Sequence, residues 1–324
     1  MSPNSDIAAL GGHTMGTRWS VKLVAPRSRD LHPLHTGIQA ELDRVVAQMS
    51  TWEADSDISR YNRADAGSWH SIPDDFWNVL SAAHDIAQRS GGAFDPSIGP
   101  LVALWGFGAQ AGAQHIPDAA QRAEVAGRCG WQKLQLDAQA QTARQPGGLE
   151  LDLSAIAKGY GVDVVSRWLR RNGIDAALVE VGGELHGYGR KPDGQPWRVL
   201  VESAPEEDAG ADYPPRVLAL DDLAVATSGD RWHHYERDGV SYSHTLDPRS
   251  HAPVTRAAAA VTVIDREAMR ADAWATALTV MGADHGLAFA TQHNLAARFV
   301  SRGPHGLQET MTPAFQQYLD ADPK

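Results

Sequence analysis

The order of helix-like and strand-like segments is the feature that most restricts the fold of this chain. Apolar residues recur at helical spacing at residues 38–49, 76–87 and 155–171. Short β-rich runs between turns follow at residues 176–181, 197–201, 217–220, 259–264 and 297–301. A helix predicted at residues 267–281 interrupts them. Early helices and late strands predict an α+β fold, in which helices pack on an antiparallel or mixed sheet core, rather than a doubly wound Rossmann sheet.

Nothing resembling a linker divides the chain, so we predict a single domain. The predicted divisions are an N-terminal extension at residues 1–10, the domain at residues 11–310 and a C-terminal tail at residues 311–324. We expect the domain to open with a strand at residues 13–24, after a turn at Gly11 and Gly12. A second tight turn is expected at residues 227–230.

Composition excludes several classes of protein. The net charge of −11 argues against a partner such as nucleic acid, whose phosphates attract basic surfaces. One cysteine, Cys129, excludes an internal disulfide and a cysteine-rich metal site. No apolar run approaches the roughly 20 residues of a membrane span. The first ten residues lack the features of a signal peptide, so we expect a cytoplasmic protein, or a periplasmic one if the N-terminus was trimmed.

The segment LDLSAIAKGYG at residues 151–161 predicts a strand end, a turn and a helix start. Such a junction exposes backbone N–H groups, which suit a phosphate group. Asp152 lies at the strand end, and Lys158 adds a positive charge one turn into the helix. The alternative interpretation is a capped helix with a solvated lysine.

The segment ADAWATAL at residues 271–278 places Asp272 and Thr276 four residues apart, on one face of a predicted helix. Most of their neighbours are apolar, and a carboxylate there is costly unless it is paired or binds a cation. Carboxylate and hydroxyl oxygens suit Mg²⁺ or Ca²⁺ better than zinc. The alternative is local capping or a salt bridge by Asp272.

His244 lies in the run SHTLDPRS and is a candidate general base, because its unperturbed pKa is near neutrality. The alternative is a histidine that is hydrogen-bonded near a turn. Four histidines in this region, at positions 233, 234, 244 and 251, match no zinc motif in their spacing, so zinc is disfavoured.

Aromatic and glycine-rich segments offer surfaces for a planar ligand. Trp52 precedes DSDISRYN, and GGAFDP at residues 91–96 precedes a second glycine-rich run. In that second run we predict that Trp105 and Phe107 belong to the core. The run VEVGGE at residues 179–184 lacks the G-x-G-x-x-G pattern, which argues against a Rossmann dinucleotide site.

Taken together and in order, these segments resemble the FAD:protein FMN transferase (ApbE) family. The resemblance covers residues 11–300 and rests on the runs HTMGT, MSTW, DSDISRYN, GGAFDPSIGPLVALWGFG, DLSAIAKGYGVD, VEVGGELHGYG, VATSGD, YSHTLDPRS and ADAWATAL. It implies an enzyme that cleaves FAD at its pyrophosphate, transfers FMN to a Ser or Thr hydroxyl of an acceptor protein and releases AMP. It also implies the family's α+β fold and a divalent cation, Mg²⁺ or alternatively Mn²⁺.

The resemblance assigns roles to individual residues. The implied flavin contacts are Met15, Trp52, Ala93, Phe94, Asp95, Asp152, Lys158 and Leu246. The implied metal ligands are the side chains of Asp272 and Thr276 and the backbone carbonyl of Ala155. His244 would take the proton from the acceptor hydroxyl or position that hydroxyl. Trp52 stands where the family commonly has Tyr, which preserves stacking but removes a phenolic hydrogen bond.

The family's acceptors include subunits of sodium-pumping NADH:quinone reductases and Rnf-type complexes, so we expect a similar flavoprotein partner. Three alternatives stay open. The same site would make an FAD pyrophosphatase if water replaced the acceptor hydroxyl. A non-catalytic flavin carrier would need the aromatic and glycine contacts but not Asp272, Thr276 and His244. A structural protein would leave the collected motifs unexplained.

Overall fold

The computed structural model describes residues 5–109, 116–201, 216–229, 234–237, 240–254, 258–303 and 306–319. Contacts divide the chain into two units. The first comprises the described residues of Met1–Asp43, Lys158–Arg231 and Ala257–Lys324, and the second those of Arg44–Ala157 and Trp232–Arg256. The prediction of a single domain at residues 11–310 stays a prediction.

Helices and strands alternate irregularly along the described residues. The strands are β1 (Ser5–Thr14), β2 (Thr17–Pro26), β3 (Trp69–Ser71), β4 (Gln135–Asp137), β5 (Thr142–Arg144), β6 (Ala177–Val181), β7 (Glu184–Tyr188), β8 (Trp197–Val201), β9 (Arg216–Leu220), β10 (Leu223–Gly229), β11 (His234–Arg237), β12 (Val240–Ser243), β13 (Leu246–Asp247), β14 (Ala252–Pro253), β15 (Ala260–Asp265), β16 (Ala296–Gly303) and β17 (Gly306–Met311). The helices are α1 (His32–Met49), α2 (Asp57–Asn62), α3 (Asp74–Arg89), α4 (Gly99–Leu104), α5 (Ala119–Ala126), α6 (Ala157–Arg171), α7 (Ala268–Met281), α8 (Ala283–Gln292) and α9 (Pro313–Gln316).

The first unit is built on an antiparallel sheet. In the described residues this sheet has eight strands, in the order β1-β2-β6-β7-β10-β15-β16-β17. Helix α7 is buried on nearly every face, which is typical of a helix in the interior of a protein. The sequence prediction of an α+β fold with an antiparallel sheet, and not a Rossmann sheet, is confirmed.

The N-terminal hairpin differs from the sequence prediction. Gly11 and Gly12 do not form a turn; they lie inside β1, and the chain reverses at Met15 and Gly16. A side chain at Gly12 would come within 2.6 Å of the indole of Trp19 on β2, so this glycine makes room for a buried tryptophan. Residues of the expected N-terminal extension therefore belong to the sheet from Ser5 onward.

Two further differences concern β10 and the C-terminus. Residues Thr227 to Gly229 were expected in a turn, but they continue β10 and pair with β15, while Asp230 lies outside the described residues. The expected tail begins at the end of β17 and contains α9, whose Phe315 is fully buried. Apolar burial thus orders part of a segment that sequence alone left unassigned.

The second unit contains a small sheet of order β3-β5-β4, the helices α2 to α5 and the hairpins β11-β12 and β13-β14. Its core includes the predicted apolar stripe of α3, with Phe76, Val79, Leu80 and Ile86 fully buried. Asn62 at the end of α2 bonds the backbone N–H and C=O of Leu151, at 2.8 and 2.9 Å. This pairing holds the segment that leads toward α6.

None of the helices among the described residues is both long and apolar enough to cross a membrane.

Candidate active site

Lys158 lies in the first turn of α6, and a hairpin of the sheet fixes its position. Its aliphatic stem passes over Gly182, at the turn between β6 and β7; a side chain at Gly182 would lie 3.2 Å from Lys158 Cδ and 2.9 Å from Thr17 Cγ2. The Lys158 ammonium donates to Glu184 Oε1, 2.5 Å away. The predicted helix start therefore presents Lys158 as a fixed, half-buried cation.

Asp272 projects from α7 toward the start of α6. It is 5% exposed, and its Oδ2 accepts a hydrogen bond from the backbone N–H of Gly159 at 3.1 Å. Burial raises the pKa of Asp272, although the Lys158 charge and the Gly159 bond oppose that shift. Thr276 follows one helical turn later and is partly exposed.

Glu184 completes a cluster with Lys158 and Asp272. Burial raises the pKa of Glu184; the Lys158 charge opposes this rise and the Asp272 charge adds to it. Burial favours the neutral form of Lys158, but the attraction of Asp272 and Glu184 outweighs it and raises the pKa of the ammonium. The cluster is therefore two carboxylates around one cation.

This donor set suits a hard divalent cation. Glu184 is 3% exposed, and its Oε2 has no hydrogen-bond partner among the described residues. A buried carboxylate oxygen without a partner is costly, and a cation would offset that cost. Among the described residues, no group of three or more His, Cys, Asp or Glu side chains is arranged to hold a metal ion. The cation would therefore need a mixed set that includes a hydroxyl such as that of Thr276.

Met15 occupies the reversal between β1 and β2, in the left-handed region with φ of 49°. Its Cε would lie 3.3 Å from a side chain at Gly161, so Met15 packs against α6. Four of the residues that the sequence predicted therefore lie in the first unit. Lys158 lies in the N-terminal half of α6, Met15 packs against that half, and α7 carries Asp272 and Thr276.

Asp95 lies in the second unit and has hydrogen-bond partners on both carboxylate oxygens. Oδ1 accepts from the backbone N–H and the hydroxyl of Ser97, at 2.8 and 2.7 Å, and Oδ2 accepts from the N–H of Trp131 at 3.0 Å. Burial raises the pKa of Asp95, and these hydrogen bonds oppose the rise. Asp95 thus ties two loops together.

Ala93 and Phe94 precede Asp95 and are buried. They follow Gly91 and Gly92, whose φ angles of 62° and 81° require residues that tolerate the left-handed region. Trp52, between α1 and α2, is 70% exposed, so its ring is free to stack on a planar ligand.

Asp152 and Ala155 lie in the segment before α6. The N–H of Asp152 donates to the carbonyl of Pro96 at 2.8 Å, and its Oδ1 accepts from the N–H of Ser154. Asp152 also lines an open cleft within the second unit, together with Asn62 and Phe107. Ala155 lies in the turn that leads into α6.

His244 and Leu246 lie at the start of the hairpin β13-β14. His244 is partly exposed and Leu246 is buried. Leu246 packs with Trp105 and Cys129, which agrees with the expectation that Trp105 belongs to the core. The hairpin is anchored where Trp105 Nε1 donates to the carbonyl of His251 at 3.1 Å.

Sequence analysis missed Glu184 and Asp163. Glu184 follows a Gly-Gly turn inside a quoted motif, and Asp163 ends another quoted motif, but neither received a role. Asp163 accepts hydrogen bonds from the N–H groups of Ala268 and Met269, at 2.8 and 3.0 Å. Each is a charged residue at a position that the strand or helix pattern buries, and this was the signal available in the sequence. The fold is needed to show which groups they contact.

Comparison with known proteins identifies the family of this chain. The profile of the ApbE family matches residues 15–299. The chain is 34% identical to the FAD:protein FMN transferase of Vibrio cholerae, over 96% of this chain and 92% of the relative. It is 32% identical to that of Klebsiella pneumoniae, over 98% and 91%.

Solved structures show the same similarity. The flavinyl transferase ApbE of Pseudomonas stutzeri, in its apo form, superposes with a TM-score of 0.90 at 39% identity, covering 98% of each chain. The flavin transferase ApbE of Vibrio cholerae gives a TM-score of 0.89 at 33% identity, covering 97% of this chain and 100% of the other. The chain therefore belongs to the ApbE family.

Proposed function

We propose that this chain transfers FMN from FAD to a Ser or Thr hydroxyl of an acceptor protein and releases AMP, with Mg²⁺ or Mn²⁺ bound. Support for the transfer comes from relatives that carry the name FAD:protein FMN transferase. The observation that carries the cation proposal is the cluster of one ammonium, Lys158, with two buried carboxylates, Glu184 and Asp272.

The reaction exchanges one phosphorus–oxygen bond for another. The acceptor hydroxyl oxygen bonds to the phosphorus of the FMN half of FAD. The bond from that phosphorus to the bridging oxygen breaks, and AMP leaves with this oxygen. The hydroxyl must lose its proton, and we assign its removal to His244, whose ordinary pKa range suits a base at neutral pH.

Asp272 and Thr276 would hold the cation, and the role of the Ala155 carbonyl as a further ligand stays a prediction. A bound divalent cation neutralises pyrophosphate charge and polarises the phosphorus. Lys158 also offsets phosphate charge, and Glu184 fixes the ammonium in advance, so little reorganisation is needed when the substrate binds.

The flavin contacts proposed in the second unit have different chemistry. The exposed ring of Trp52 offers a stacking surface. Asp95 fixes the loop that carries Ala93 and Phe94, and Asp152 lines an open cleft. These residues would orient a flavin, whereas the charged cluster of the first unit suits its phosphates.

The proposed acceptor is a subunit of an electron-transfer complex, such as a sodium-pumping NADH:quinone reductase or an Rnf-type complex. Hydrolysis of FAD to FMN and AMP is the second candidate, because water can attack where the hydroxyl does.

The test combines purified protein, FAD and Mg²⁺ with a candidate acceptor domain. Intact-mass spectrometry follows the acceptor, and chromatography follows AMP and FMN. We expect a gain of one FMN that requires Mg²⁺, matches the AMP released and disappears with EDTA. Asp272→Asn should abolish the gain, whereas Asp284→Asn, which removes an exposed carboxylate from α8 of the same unit, should preserve it.

Two outcomes would contradict the proposal. Equal FMN and AMP with an unmodified acceptor, for each acceptor domain encoded beside this chain, would favour hydrolysis. Bound FAD that stays intact with every acceptor and metal would favour a carrier.

A further inference from the structure

Helices α6 and α7 meet at their first turns, around Gly159. A side chain at Gly159 would lie 2.3 Å from the carbonyl oxygen of Ala268 and 2.7 Å from Met269 Cα. No side chain fits in that space, so the two backbones are in direct contact. The same glycine donates its N–H to Asp272, which makes the contact part of the proposed metal site.

Asp163 lies one helical turn after Gly159, on the same face of α6. It is 4% exposed. Its two carboxylate oxygens accept from the first two N–H groups of α7, those of Ala268 and Met269, at 2.8 and 3.0 Å. Glu267, the residue before α7, makes no capping bond with its side chain. Asp163 therefore does from a neighbouring helix what a local cap residue does in most helices.

The distant cap has a consequence that a local cap lacks. A Ser or Asn at residue 267 would satisfy the same N–H groups without fixing α7 relative to α6. Asp163 joins the two helices. Its buried carboxylate is unfavourable in the ionised form, because burial raises the pKa of Asp163 to about 7 despite the two hydrogen bonds. Unlike a local cap, the hydrogen bonds of Asp163 also fix the position of α7 relative to α6.

We propose that Asp163 is a positioning residue of the metal site: it fixes α7 on α6, so that Asp272 keeps its place beside Gly159 and Lys158. It acts through the helix and touches neither substrate nor cation. Asp272 follows Ala268 by one turn, so a displacement at the start of α7 moves its carboxylate directly. This inference rests on the cation proposed above.

The test measures metal binding directly. Mn²⁺ is the probe, and electron paramagnetic resonance reports the unbound ion without any turnover. We expect Asp163→Ala to weaken Mn²⁺ binding at least tenfold. Asp163→Asn should fall between this variant and the wild type, because it keeps one acceptor oxygen but turns an amide donor toward an N–H group. In transfer assays, the half-saturating Mg²⁺ concentration should rise more than the KM for FAD.

Thr312→Ala is the matched control. Thr312 is buried in the same unit, and its hydroxyl oxygen caps α9 by accepting from the N–H of Phe315 at 3.2 Å. Loss of this cap should lower the melting temperature, as should loss of the Asp163 cap. The Mn²⁺ affinity of Thr312→Ala should stay within twofold of the wild type, which separates positioning from general stability.

The outcomes distinguish the two proposals. Wild-type Mn²⁺ affinity in a folded Asp163→Ala protein would overturn the positioning role, and if that variant does not fold, wild-type affinity in Asp163→Asn would do so. Failure of the wild type itself to bind Mn²⁺ would overturn the cation proposal and, with it, this inference.

Discussion

Each unit contains a buried carboxylate site, and the two sites differ in what their oxygens contact. In the second unit, both oxygens of Asp95 accept hydrogen bonds, from Ser97 and Trp131. In the first unit, Glu184 and Asp272 share one ammonium, that of Lys158, and no group in the described part of the chain forms a hydrogen bond with Glu184 Oε2. The Asp95 arrangement is complete without a ligand, whereas the cluster of the first unit sets two carboxyl groups against one ammonium.

The two arrangements differ in how far groups of the chain itself compensate a buried carboxylate. Burial of a charge is tolerated when hydrogen bonds or an opposite charge compensate it. Asp95 meets this condition with groups of the chain itself, so its effect is to hold a loop. The Asp272 cluster meets it only in part, which is what a site for a divalent cation requires before the cation binds.

The largest expected effect comes from exchanging the two carboxylates for amides. Asp272→Asn should lower the transfer rate by about 1000-fold, because metal stabilisation of a developing charge is worth several kcal/mol. Asp95→Asn should raise the KM for FAD and leave the half-saturating Mg²⁺ concentration unchanged. Transfer assays over a series of Mg²⁺ concentrations measure both variants. An equal dependence of the two variants on Mg²⁺ would contradict the different roles assigned to Asp272 and Asp95.

Gly159→Ala tests the helix contact beneath the cluster. Its methyl group would lie 2.3 Å from the carbonyl of Ala268, so we expect a loss of about 3 kcal/mol of unfolding free energy. Gly161→Ala is the control, because the nearest atoms to a methyl group there are flexible side-chain ends, Leu42 Cδ2 and Met15 Cε, at 3.2 and 3.3 Å. Urea titrations of both variants provide the measurement. A smaller loss in Gly159→Ala than in Gly161→Ala would contradict the close approach.

Asp95→Asn should also destabilise the protein, by about 2 kcal/mol, because an amide donor would face the N–H of Trp131 or the donors of Ser97. Asp137→Asn is the control: Asp137 also accepts two backbone N–H bonds, from Gln139 and Ala140, but in an exposed turn. The loss of unfolding free energy in Asp137→Asn should stay below about 1 kcal/mol. Equal urea midpoints for the two variants would show that the buried network contributes no more than a surface turn.

The last expected effect is confined to acidic pH and concerns His186, a second incompletely compensated group of the first unit. Burial, with the nearby Arg170 charge, lowers the pKa of His186 to about 4 from 6.5. The unfolded chain therefore binds a proton at a higher pH than the folded one. Neutral His186 makes its full contribution to the free energy of unfolding above about pH 6.5, and this contribution is lost as the pH falls toward 4.

His186→Gln should remove that part of the pH dependence. We expect the stability difference between wild type and variant to shrink by about 2 kcal/mol from pH 7 to pH 4.5. Subtracting the stability of the variant from that of the wild type isolates the pH dependence that His186 causes. The carboxyl groups of the same unit, whose raised pKa values change stability with pH in the opposite direction, are present in both proteins and cancel. A difference that does not change with pH would contradict the assignment.

Periodicity and turn residues predicted the principal elements well. The sequence predicted helices α1, α3, α6 and α7, because each has an apolar stripe or consists mostly of apolar residues. The turns were less predictable. Gly11 and Gly12 were expected to reverse the chain, whereas Gly12 makes room for Trp19 within a strand. Glycine permits a turn, but it also permits close packing, and only tertiary contacts decide between them.

The site shows the same limit. Lys158, Asp272 and Thr276 were predicted as site residues because their residue types and spacing fit phosphate and cation chemistry. Glu184 and Asp163 were not, because their importance depends on partners distant in sequence: Glu184 lies 26 residues from Lys158, and Asp163 lies 105 residues from Ala268. Spacing reveals groups that share one helix face, and a sheet or a helix pair must form before the others meet.

The most direct test of the account is the unfolding free energy of wild type and Asp272→Asn, each measured in EDTA and in Mg²⁺. Without metal, the variant replaces a buried charge and leaves Lys158 balanced by Glu184 alone, so it should be at least as stable as the wild type. Mg²⁺ should stabilise the wild type by mass action and leave the variant unchanged. A variant less stable than the wild type in EDTA, with equal stabilisation of both by Mg²⁺, would contradict the claim that Asp272 is placed for a cation.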